Sequence, residues 1–174
     1  LKEGHIVDDG QPQGVLEGYH QGLTATLDGG GEASIDASTS WAAHITRLRL
    51  SDGTTPKDRF VSGEPFVIEV EYEVLEPEAR PVVGIDILTV EGAMLTGFTS
   101  HHAEPGSAQG PIKTARFTVD HLSLFEGRFR LDVRLEGLAG GERYHDVPHA
   151  IEFTVFPNGS GTGPVTLFGS WEVV

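Results

Sequence analysis

The sequence predicts an all-β protein: an antiparallel β-sandwich, jelly-roll or immunoglobulin-like, over residues 41–174, with a short β-turn-helix remnant at its N-terminus. Three observations carry this. From Trp41 onward apolar residues recur at every second position. The alternating runs are short and are separated by Gly-, Pro- and Asp-rich breaks. No stretch in that region keeps a helical period. A chain of 174 residues is also long enough to bury a sizeable core.

Taken in order, residues 1–20 read as short strand ends, an Asp-Gly break and a small amphipathic helix, with Val15, Leu16 and Tyr19 at helical spacing. That is the closing corner of a preceding domain. Residues 21–40, "QGLTATLDGGGEASIDASTS", have the glycine run and small polar residues of a flexible linker. The sandwich follows. "HITRLRL" sets Ile45 and Leu48 among polar neighbours. "FVIEVEYEV" puts Phe66, Ile68, Val70, Tyr72 and Val74 on one face, against Glu69, Glu71 and Glu73 on the other. "FRLDVRLEG" turns Phe129, Leu131, Val133 and Leu135 inward and Arg130, Asp132 and Arg134 outward. With "VVGIDILTV", "AMLTGFTS", "KTARFTVD", "AIEFTVF" and "GPVTLFGSWEV", this makes about eight strands.

Charge and composition narrow the function. A net charge of -14 gives nucleic acid and anionic lipid the wrong electrostatic sign. The absence of cysteine removes disulfides, thiolate nucleophiles and Cys-ligated zinc. There is no apolar run near the roughly 20 residues of a membrane span, so no direct membrane insertion is expected. No lysine follows a glycine, so the phosphate-binding Gly-Lys-Ser/Thr turn is missing, and no Gly-x-Ser-x-Gly elbow occurs. The fragment reads as a non-enzyme without a cofactor.

"GHIVDDGQPQGVLEGY" resembles the end of the ATPase domain of polysaccharide-exporting ABC transporters. "SWAAHITRLRLSDG", "FVSGEPFVIEVEYEV", "VVGIDILTVEGAMLTGFTSH", "LSLFEGRFRLDVRL" and "GPVTLFGSWEV" resemble the carbohydrate-binding domain fused to such Wzt-like ATPases. Gly14 stands where that corner more often has an acidic residue. The resemblance implies recognition of a cell-surface polysaccharide, or of its terminal residues, for export of the O-antigen or teichoic acid type. It implies a transmembrane permease partner reached through an ATPase domain ahead of residue 1. It also implies a cytoplasmic location, peripheral at the inner face of the bacterial plasma membrane. The alternatives are a purely structural dimerisation domain and a glycan-acting enzyme on a sandwich scaffold.

The residues offer a surface for such a ligand. "VVGIDILTVEGAMLTGFTSH" reads as a hairpin with Glu91-Gly92 at its tip, pairing Leu88 with Leu95, Asp86 with Gly97 and Gly84 with Thr99. Ile85 and Phe98 then face the core. Gly84, Asp86, Gly97 and Thr99 form a shallow outer bed with one carboxylate and one hydroxyl to meet a pyranose, while glycines that admit a neighbouring group are the alternative. Tyr144 and His145, in the late loop "YHDVPHA", are further sugar-contact candidates, since a ring face stacks on C–H groups while its polar tip takes a hydroxyl. His101, His102, His145 and His149 would bind metal only if the two loops met. Adjacent histidines in a strand point oppositely and Pro148 discourages a helix, so solvated loop histidines fit better and no metal is expected. Trp171 suits a core or interface position and Trp41 a cap on the sandwich. The apolar final strand, with Val165, Leu167, Phe168, Trp171 and Val173, predicts a homodimer through that strand.

Overall fold

The structure, a computed structural model, describes residues 26–28, 30–35, 42–102 and 110–159. Every regular element among them is a strand: β1 (Thr26–Asp28), β2 (Glu32–Ser34), β3 (Ala43–Ser51), β4 (Arg59–Val61), β5 (Phe66–Val74), β6 (Pro81–Thr89), β7 (Met94–Thr99), β8 (Ile112–Val119), β9 (Gly127–Gly137) and β10 (Arg143–Phe156). They form two five-stranded sheets, ordered β1-β2-β3-β5-β8 and β4-β10-β9-β6-β7. Only the short β4 runs parallel to its neighbour, β10. No helix among the described residues is long and apolar enough to cross a membrane.

Alternation sets the two faces. Ile68 and Val70 of β5 face Leu131, Val133 and Leu135 of β9 across a core in which all five are buried. At one end Phe60, Phe66, Phe129 and Phe153 form an aromatic cluster, with Phe60 and Phe66 edge-on at 4.8 Å. At the open side the edge strands β7 and β8 approach, and Phe98 stacks on Phe117 at 3.9 Å. Ile45 and Leu48, three apart, cannot share a face of a regular strand. The register of β3 on β5 skips Thr46, and this bulge turns both side chains into the core.

The structure corrects four expectations. The segment 21–40 is not a linker throughout, because β1 and β2 form an edge of the first sheet and bury Ala33 and Ile35. Gly30 and Gly31 serve a turn. Gly31 has φ +85°, and a Cβ there would lie 2.2 Å from the Lys57 carbonyl oxygen. "YHDVPHA" is not a loop but the first half of β10, with irregular pairing between Val147 and Ile151 and with His149 at φ 53°. The β6–β7 hairpin pairs Gly84 with Thr99 and Asp86 with Gly97, but Leu88 meets Met94, not Leu95. Gly92, at φ +92°, closes the turn by donating to the Thr89 carbonyl, and one extra residue is then taken up as a bulge. Finally, β4 adds a strand too short for any alternation to reveal. The N-terminal corner, Trp41, Trp171 and the expected final strand lie outside the described residues.

Candidate functional site

The outer face of the second sheet carries four of the expected residues. Gly84 and Asp86 on β6 stand beside Arg134 and Asp132 on β9, and beside Thr99 and Gly97 on β7. Outward residues of β9 and β10 extend this face with Arg128, Arg130, Glu136, Asp146 and Glu152.

The glycines do not leave an empty bed. A Cβ on Gly84 would lie 2.8 Å from Cζ and Nε of Arg134, whose side chain crosses that point. Arg134 Nη1 donates to Asp86 Oδ2 at 2.5 Å, and its Nε donates to Glu136. Burial pulls the Arg134 pKa down, but Glu136 and Asp86 outweigh it and hold the guanidinium above its usual value. The space opposite, at Gly97, is filled in the same way, by Asp86 Oδ1 at 2.4 Å and Met94 Cε at 2.8 Å from where a Cβ would stand. Asp86 Oδ1 is buried there with no hydrogen-bond partner, and so is Arg130 Nε on β9. An unmatched buried acceptor costs about 1–3 kcal/mol, so it is a place where an incoming donor gains most.

Further ion pairs run along the face. Arg128 meets Glu152 at 2.8 Å, Arg143 meets Asp146 at 2.8 Å, and Arg130 lies 3.6 Å from Asp132. Arg130 also donates to His149 Nε2, while the His149 amide donates to Asp132 Oδ1 at 2.9 Å. The alternation of β9 made Arg130, Asp132 and Arg134 visible as outward residues in the sequence, but nothing there placed them beside Asp86.

Tyr144 and His145 lie elsewhere. Tyr144 is the extra residue where β10 shifts register on β9, and its hydroxyl lies 3.3 Å from where a Cβ on Gly137 would stand. Burial and then Glu142 raise its pKa. His145 pairs with Leu135, an inward position, and its Nδ1 accepts the Ile45 amide at 3.0 Å across the two sheets. Burial, then His44, push its pKa down against the opposing effect of Asp146. His145 therefore does not share the Asp86 face. His101 and His102 are exposed, with rings 5.0 Å apart, and no cluster of three or more metal-ligating side chains occurs among the described residues.

The described residues form a two-sheet β-sandwich domain whose second sheet has a polar, ion-paired outer face. The Wzt C-terminal domain family matches residues 36–167, and the chain belongs to it. That family is non-catalytic and forms part of polysaccharide-export ABC transporters, which work with a permease. The crystal structure of the C-terminal domain of Wzt superposes with a TM-score of 0.65 at 16% identity, covering 78% of this chain and 88% of that one. The CARDB domain of the PF1109 protein from Pyrococcus furiosus, in complex with di-metal ions, aligns with a TM-score of 0.36 at 13% identity, covering 69% of this chain and 99% of that one. A β-glucosidase from Listeria innocua in complex with gluconolactone aligns with a TM-score of 0.39 at 17% identity, covering 72% of this chain and 17% of that one. No curated protein sequence matches the chain.

Proposed function

We propose that the domain recognises a cell-surface polysaccharide, or its terminal residues, for export, and that the ligand lies on the outer face around Gly84, Asp86, Gly97 and Thr99. One observation carries the placement: Asp86 Oδ1 faces Gly97 without a hydrogen-bond donor, sharing that space with the unbranched and 61% exposed Met94. A sugar hydroxyl that displaces the Met94 methyl supplies the missing donor at little cost, because methionine repacks easily. Thr99, exposed on the same hairpin, adds a second hydrogen-bonding group. Family membership supports the polymer class, since a domain of a polysaccharide exporter has such a polymer within reach. The protein would act at the cytoplasmic face of the membrane, as a homodimer joined to a permease through an ATPase domain. The test is calorimetric titration with the host's own surface polysaccharide, intact and stripped of its terminal residues. Binding lost in Asp86→Ala supports the reading, and undiminished binding in that variant moves the site off this face.

A further inference from the structure

We infer that this face selects uncharged glycans and rejects acidic ones, an inference that rests on the glycan reading above and deepens it. Recognition of a uronate or a phosphorylated sugar requires a guanidinium or ammonium group free to meet the anion. On β9 and β10 each guanidinium of this face already has an acid, and Arg59, exposed without an acid partner among the described residues, stands on β4 at the edge of the sheet opposite β7. Arg128 is held by Glu152, Arg134 by Asp86 and Glu136, Arg143 by Asp146 and Glu136, and Arg130 sits beside Asp132 while donating to His149. The carboxylates Asp86, Asp132, Glu136, Asp146 and Glu152 outnumber these arginines five to four. The whole chain, these groups included, carries a net charge of -14.

An anionic sugar would therefore have to break an ion pair and enter a negative potential at once, which disfavours it twice. A hydroxyl faces neither penalty. It donates to a carboxylate oxygen or accepts from a guanidinium N–H without disturbing the pairing, and the unmatched polar atoms of the floor, Asp86 Oδ1 and Arg130 Nε, are one acceptor and one donor. The glycines contribute by leaving room for Arg134 at Gly84 and for Asp86 at Gly97, where a Cβ would displace each side chain.

The test uses neutral hexose homopolymers (mannan, galactan and glucan) and the host's surface polysaccharide. Each is presented to the full chain intact and after oxidation of its C6 hydroxymethyl groups to carboxylates, a change nearly neutral in size. The expected result is that any polymer bound in its neutral form loses about tenfold or more in affinity on oxidation at 0.1 M salt, and that the loss shrinks at 1 M salt, where the Debye length is about 3 Å. Glu136→Gln with Asp146→Asn, which frees Arg143 of both its acids and Arg134 of one of its two, should restore part of the binding to the oxidised polymer. Equal or tighter binding of the oxidised form by the unaltered protein overturns the selectivity and leaves glycan recognition standing. Binding of no polymer in either form overturns the glycan reading, and this inference with it.

Discussion

Arg134 lies across the backbone of Gly84 and reaches Asp86 on the same strand, Nη1 to Oδ2 at 2.5 Å. The absence of one side chain thus positions the charge of another. Gly84→Ala places a methyl 2.8 Å from Cζ and Nε and 2.9 Å from Cγ of Arg134, close enough that the arginine must leave. The expected cost is about 1–3 kcal/mol of stability in urea unfolding, the range for overpacking a filled site. In an Arg134→Ala background the same substitution should cost far less, and the double-mutant cycle measures the difference.

Asp86→Ala should weaken glycan binding by about 1–3 kcal/mol through loss of an acceptor. It should also cost about 1 kcal/mol of stability, because the half-buried Arg134 loses one partner but keeps Glu136. Calorimetry and urea unfolding on the same preparation separate the two effects. A stability loss with unchanged affinity would make the residue purely architectural.

His145 gives the fold a pH dependence of known sign. Its pKa is lowered in the folded state, so below the unfolded value of about 6.5 the unfolded chain takes the proton first. Its contribution to stability is complete above pH 6.5 and is lost as pH falls toward the folded value. The groups around it are His44, which opposes its protonation, Asp146, which favours it, and Glu73, 3.4 Å from His44. His145→Leu should flatten this part of the profile and cost about 1–3 kcal/mol at pH 8, because the Ile45 amide loses its acceptor. Thermal unfolding between pH 5 and 8 reads both.

The long strands were legible because a period of two persists through Phe66–Val74 and Gly127–Gly137 and allows one assignment of faces. Short strands were not: Arg59–Val61 spans too few residues to show a period, and the glycines at 30 and 31 have the same composition in a turn as in a linker. The parity of Gly84, Asp86, Gly97 and Thr99 followed from the hairpin alone. What fills the glycine gaps did not, since Arg134 comes from a strand 48 residues away in sequence. The inward direction of His145 depends on the shift between Arg143 and His145, which no local pattern announces.

This chain alone should neither bind nor hydrolyse ATP, because its sequence lacks a Gly-Lys-Ser/Thr phosphate turn. Calorimetry with magnesium-ATP should show no binding heat, and no phosphate should be released. Saturable heat would point to a nucleotide site of another kind.

The protein should be a homodimer joined through its final apolar segment. That segment, "GPVTLFGSWEVV", lies outside the described residues, and its pattern predicts a strand with Val165, Leu167 and Trp171 at alternate positions. A terminal strand this apolar is an aggregation hazard unless paired. The stretch "PNGSGTG" before it is long and glycine-rich enough to carry it away from its own sheet, and reciprocal exchange between two copies is a low-cost route to a two-fold dimer. Two copies would also present two glycan faces to one polymer and gain avidity without new contacts. Light scattering at micromolar concentration should report a dimer for the full chain and a folded monomer after deletion of residues 163–174. A monomeric full chain refutes the dimer, whereas a truncated chain that remains a folded dimer refutes the exchange and moves the interface to another surface.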